Sequence, residues 1–91
     1  MKTFQWDPDK ARANVTKHRI DFEDAARLFQ EPHFTVASAH TDEARFLTIG
    51  YLGTLVIAVV WTPRGEDILR IISARRARRE EREAYRQYFG T

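Results

Sequence analysis

The stretch "LVIAVVWT", Leu55 to Thr62, limits the possible folds more than any other part of this chain. It is apolar at odd and even positions alike, so a strand built from it hides both faces and reads as the centre of a sheet. Neighbouring strands are at hand. Arg45 to Tyr51 alternates, with Leu47, Ile49 and Tyr51 on one face, and Leu52-Gly53-Thr54 is a hairpin turn back to the central strand. Pro63-Arg64-Gly65-Glu66 is a second turn, leading into a strand from Asp67 to Ser73. Phe34 to Ser38 supplies one more strand, joined through the polar connection 39–44. Phe4 to Trp6 reads either as a short strand or as an apolar lead-in.

Helices bracket these strands. Asp7-Pro8 is a helix start, with Asp as N-cap and Pro in the first turn, and the helix runs from about Pro8 to His18. Ala11, Asn14, Val15 and His18 share one face, and Arg19 breaks the helix. Asp21 caps a second helix over Phe22 to Phe29, with Phe22, Ala25, Ala26 and Phe29 inward, which ends at Glu31-Pro32. Ser73 is a reasonable cap for a last helix from Ala74 to Tyr88. The order α-α-β-β-β-β-α in 91 residues predicts one domain, 1–91, of α+β class. Its expected form is an antiparallel four-stranded meander sheet with two N-terminal helices and one C-terminal helix on one face.

Charge narrows the function. From Arg64 to the end there are eight Arg and five Asp or Glu, against seven Lys or Arg and eight acids before it. Positive charge therefore gathers in the last third, which suggests an anionic partner. On the helix reading, Arg75, Arg76, Arg78 and Arg79 crowd the positive pole of the last helix, where each cation costs about 0.3–1 kcal/mol. That placement makes sense if helix N–H groups and guanidinium forks hold a phosphate together. The bland alternative is a solvated Arg-rich face.

Other chemistries are disfavoured. There is no cysteine, and His33, His40 and Asp42 match no closed ligand spacing, so no metal is expected. No Gly-rich phosphate loop is present. The N-terminus shows no apolar signal segment and no run is long enough to cross a bilayer, so the protein reads as cytoplasmic with no membrane partner.

"WDPDKARANVTKH", "DFEDAARLF", "ARFLTIG" and "WTPRGEDILRIISARRARREEREAY" together resemble the BrnT family of bacterial toxins, from Trp6 to Tyr85. Two departures stand out: Arg19 where that family often has Gly, and Pro63 before Arg64 where an acid or Ser is common. The resemblance implies a RelE-like fold and a ribonuclease toxin of a type II toxin–antitoxin pair, which cuts RNA and stops translation. It also implies a BrnA-like antitoxin with a ribbon-helix-helix domain, and a toxin pair bound to an antitoxin pair as a heterotetramer.

RNA cleavage without metal or cofactor needs a base for the 2′-OH, a cation for the phosphate and an acid for the leaving 5′-oxygen. The expected products are a 2′,3′-cyclic phosphate and a 5′-hydroxyl. Histidine is the residue type whose reference pKa lies near neutrality, so His18 is the candidate for proton transfer, with Lys17 beside it as base or phosphate ligand. Arg64 at a turn tip and Arg70 are candidates for transition-state contacts. If Ile68 and Ile72 face the core, Arg70 needs a buried partner; if Leu69 and Ile71 do, it lies on the open face. Tyr85 could stack a base or give a proton, or simply belong to a docking stripe. Arg45, Arg75, Arg76 and Arg79 are candidates for RNA binding. The rival function is a non-catalytic basic module that holds RNA or an acidic antitoxin segment.

Overall fold

The computed structural model describes residues 2–38 and 43–90. It is an α+β fold with five strands in the order β1-β5-β4-β3-β2 and three helices. Strand β1 is Thr3–Gln5, β2 His33–Ser38, β3 Arg45–Leu52, β4 Leu55–Pro63 and β5 Ile68–Arg76. The helices are α1 (Pro8–His18), α2 (Phe22–Arg27) and α3 (Arg79–Phe89).

As expected of a two-faced apolar strand, β4 is central. Its alternate residues enter different cores: Ile57 and Val59 pack with Phe22, Leu28, Leu69 and Ile71, whereas Ala58 packs with Ile49 and Tyr85. Each of the larger side chains contributes roughly 1.5–3 kcal/mol by leaving water. The first core lies under α1 and α2, and the second under α3, so the sheet is covered by helices on both faces. The expectation of helices on one face is thereby corrected. The physical reason is the alternation in β4 itself, which leaves two apolar surfaces to hide.

The sheet also has one strand more than expected, and it is mixed. Phe4 and its neighbours form β1, which pairs in parallel with β5, Phe4 opposite Leu69 and Gln5 opposite Arg70. Three residues give too short a pattern to separate a strand from a lead-in; the exposed edge of β5 decides. β2, β3 and β4 pair antiparallel as a meander, and β4 continues antiparallel to β5. A register shift falls between Val60 and Trp61. Gly53, at φ 63°, makes the two-residue turn between Leu52 and Leu55.

The largest correction concerns the arginine-rich segment. β5 does not stop at Ser73. It runs to Arg76, with Ala74 opposite Val59, Arg75 opposite Ala58 and Arg76 opposite Ile57. Helix α3 begins only at Arg79, with Arg78 in the cap position. Ala and Arg favour a helix locally, but the ladder offered by β4 outweighs a preference of a few tenths of a kcal/mol per residue. Arg75 and Arg76 are therefore strand residues, and the argument from cations crowding a helix pole does not hold for them.

Both N-terminal helix caps form as the sequence suggests. Asp7 accepts from the Asp9 N–H at 2.8 Å, and Asp21 from the Glu23 N–H at 2.9 Å. Leu28 is fully buried in a 3-10 turn after α2. Val15, expected inward, is 42% exposed.

Candidate functional site

Asn14 builds the first cationic site. This side chain is buried on α1 and donates to the carbonyls of Ile20 and Ala74, both at 2.8 Å. Its Oδ1 accepts from the Ala74 N–H at 3.2 Å. The C-terminal end of α1 is thus pinned to β5 just before Arg75 and Arg76. Arg19 closes the helix in the left-handed conformation, φ 62°, with its N–H on the Val15 carbonyl at 2.9 Å. The result is a cleft of about 390 Å³ lined by Lys17, His18, Arg19, Arg75, Arg76 and Arg78. None of these lining residues is acidic.

Glu81 sets the position of Arg75 from the α3 side. Its carboxylate accepts from both Arg75 Nη atoms, at 2.8 and 3.0 Å, and from the Arg78 N–H at 2.7 Å. The last contact is one half of a capping box, which ties the start of α3 to the cleft wall. The Arg75 hydrogen bond holds the Glu81 carboxyl below the ordinary range, against the effect of burial. The same bond raises the Arg75 guanidinium. Arg79 lies apart from the cleft, paired with Glu83 on the exposed side of α3.

A second cationic cluster stands at the other end of the sheet. Leu69 and Ile71 face the core under α1 and α2, so Arg70 lies on the opposite face, the open-face alternative. Arg70 is opposite Thr62 on β4 and donates to Gln5 Oε1 on β1 at 2.9 Å. Arg45 opens β3 and meets Glu43 through Nε at 3.0 Å. Arg64, half exposed at the turn, reaches the other oxygen of Glu43 at 4.0 Å. Thr62 donates to the Ala44 carbonyl at 2.6 Å and ties this segment to β4.

The candidate residues therefore fall into two groups rather than one centre. Lys17 and His18 join Arg75 and Arg76; Arg64 and Arg70 join Arg45. Arg70 and Arg75 are five residue steps apart along the strand, roughly 16 Å, so they belong to separate clusters. Tyr85 joins neither group. It is 6% exposed, its hydroxyl donates to the Pro32 carbonyl at 3.1 Å, and its ring packs on Tyr51, Phe34 and Phe89. Burial, with smaller effects of Tyr51 and Glu31, raises its hydroxyl above the ordinary value. It is a core residue, the docking-stripe alternative.

Sequence reasoning missed Asn14 as a clamp, Glu81 as the partner of Arg75, and Glu43. The first two depend on register between distant elements. Glu43, two residues before Arg45, carried no motif. No group of three or more His, Cys, Asp or Glu among the described residues is placed to hold a metal. His40 and Asp42, weighed as ligands with His33, lie outside the described residues. No helix among the described residues is long and apolar enough to cross a membrane.

Comparison with known proteins places this geometry. The family described as "Ribonuclease toxin, BrnT, of type II toxin-antitoxin system" matches residues 6–81. No protein with a curated description matches the chain. Among solved structures, the 1.1 Å crystal structure of the Brucella abortus ribonuclease toxin BrnT is similar, at 30% identity and a TM-score of 0.68. The match covers 87% of this chain and 100% of that one. A family match over most of its length, together with the shared fold, shows that this chain belongs to the BrnT family of ribonuclease toxins of type II toxin–antitoxin systems.

Proposed function

We propose that this toxin is a metal-independent endoribonuclease that cuts RNA by attack of the 2′-OH, leaving a 2′,3′-cyclic phosphate and a 5′-hydroxyl, and thereby inhibits translation in the cytoplasm. The observation that supports this most is the pair of cationic clusters at opposite ends of β5. A single RNA strand crossing them would place several phosphates against guanidinium forks. In the α1 cleft, Lys17, His18, Arg19, Arg75 and Arg76 line one wall and supply groups that can hold the strand. At the other cluster, Arg45, Arg64 and Arg70 stabilise charge on the phosphate but cannot act as bases, because a guanidinium does not give up its proton in this range.

The antitoxin proposed is a BrnA-like ribbon-helix-helix protein, with two toxins and two antitoxins in the complex. It would silence the toxin by covering one or both cationic clusters.

The test is cleavage of a short single-stranded RNA by the purified chain in EDTA, with analysis of the product ends. Cyclic phosphate and 5′-hydroxyl ends are expected, and a substrate with one 2′-deoxy residue at the cut site should resist. Activity that appears only with added divalent metal would refute metal independence. Tight binding with no cutting would leave a basic binding module instead.

A further inference from the structure

We infer that Glu43 is the general base of RNA cleavage and that the chemistry takes place at the sheet-face cluster, an assignment that rests on the ribonuclease function proposed above. Glu43 is the acid brought among Arg45 and Arg64, and its side chain is 33% exposed, open enough to meet a substrate. The surroundings are built rather than accidental. Thr62 fixes the Ala44 carbonyl at 2.6 Å, and the Arg64 N–H is held by the Ile68 carbonyl at 2.9 Å. Arg70 extends the row from the next strand, opposite Thr62, with Gln5 bonded to it at 2.9 Å.

A surface pair of this kind adds only about 0–1 kcal/mol to stability, so its stabilising role is small. Two guanidiniums, Arg45 and Arg64, meet this carboxylate, and Arg70 stands opposite Thr62 on the neighbouring strand with its bond to Gln5. A guanidinium carries five N–H donors, and Arg45 engages Glu43 through Nε, so its fork retains donors for a phosphate. Arg64 lies at the long distance of 4.0 Å and can turn to the phosphate without leaving the carboxylate stranded. A phosphodiester held by these arginines lies beside the carboxylate, and so does its neighbouring 2′-OH.

The step balances as follows. The proton of the 2′-OH passes to the Glu43 carboxylate. The O2′–P bond forms and the P–O5′ bond breaks. The leaving 5′-oxygen takes a proton from water, and Glu43 later returns its own to water. The α1 cleft then holds the strand a few nucleotides away, and His18 contributes to binding there.

The test compares the full chain with Glu43→Gln on a short RNA at fixed salt. The expected result is a fall in kcat of about 100-fold or more, with RNA affinity kept or tightened because a negative charge has gone. The acid limb of the kcat profile should vanish as well. Glu43→Asp should cut slowly yet keep that limb. Glu43→Gln cutting within about threefold of the wild type overturns the assignment, as does a slow variant that retains the acid limb. If both variants lose the fold in a melting experiment, Glu43 is structural and the assignment also fails. A wild-type chain that cuts no RNA would remove the ribonuclease reading itself. Equal cutting by wild type and variant would remove only the role of Glu43.

Discussion

Asn14 holds both backbone polar groups of Ala74, 60 residues away in the chain, and carries the Ile20 carbonyl besides. One amide thus satisfies three buried backbone groups that would otherwise face apolar surroundings. Asn14→Ala should lower the unfolding free energy by roughly 2–4 kcal/mol. A urea melt checks it. A loss below about 1 kcal/mol would mean that water replaces the amide without penalty.

Glu81 makes stability depend on acid. Arg75 holds its carboxyl below the ordinary value, so the unfolded chain takes up that proton more readily than the folded one. The stabilisation is complete above the ordinary carboxylate range and is lost as pH falls through the depressed folded value. Glu81→Gln should lower stability at neutral pH by about 1–3 kcal/mol. The gap between variant and wild type should narrow as pH falls below the ordinary carboxylate range. Denaturant melts at several pH values would show it, and a constant gap would contradict the clamp.

Arg19 occupies a left-handed position where glycine is at ease. Arg19→Gly should therefore raise stability, by about 1 kcal/mol. It should also weaken RNA binding and shallow its salt dependence by about 0.7 in log–log slope, as expected for one lost phosphate contact on a single strand. Titrations at several salt concentrations measure this. An unchanged slope would place Arg19 outside the RNA path.

Gly50 has no room to grow. A Cβ there would lie 2.6 Å from Leu28 Cδ1 and 3.1 Å from the Pro32 carbonyl. Gly50→Ala should destabilise by about 1–3 kcal/mol, read as a lowered melting temperature.

Tyr85→Phe separates core from chemistry. Removing the hydroxyl forfeits the bond to Pro32, about 0.5–1.5 kcal/mol, but should leave RNA cleavage within about threefold of the wild type. A larger fall in kcat at unchanged affinity would return Tyr85 to the active site.

Much of this architecture could be read from residue order alone. Asp7-Pro8, Asp21 and the two-faced β4 each act through local chemistry, so caps and central strand follow directly. The end of β5 could not be read this way. "SARRARR" is locally helical, and only the ladder with Ile57, Ala58 and Val59 keeps it extended as far as Arg76. For the same reason the cationic site was legible as charge but not as shape. Lys17 and His18 meet Arg75 because Asn14 crosses to Ala74, a contact with no signature along the chain. Arg64 meets Glu43, and Arg70 comes opposite Thr62, by the same kind of long-range registry.

The parallel pairing of β1 with β5 has a consequence for synthesis. Gln5 and Arg70 bond across 65 positions, and Ala74 must be in place before α1 can dock. During translation the amino-terminal strand has no partner until most of the polypeptide has left the ribosome exit, so neither arginine group can assemble early. Both cationic clusters are therefore completed only by the last third of the polypeptide to be made.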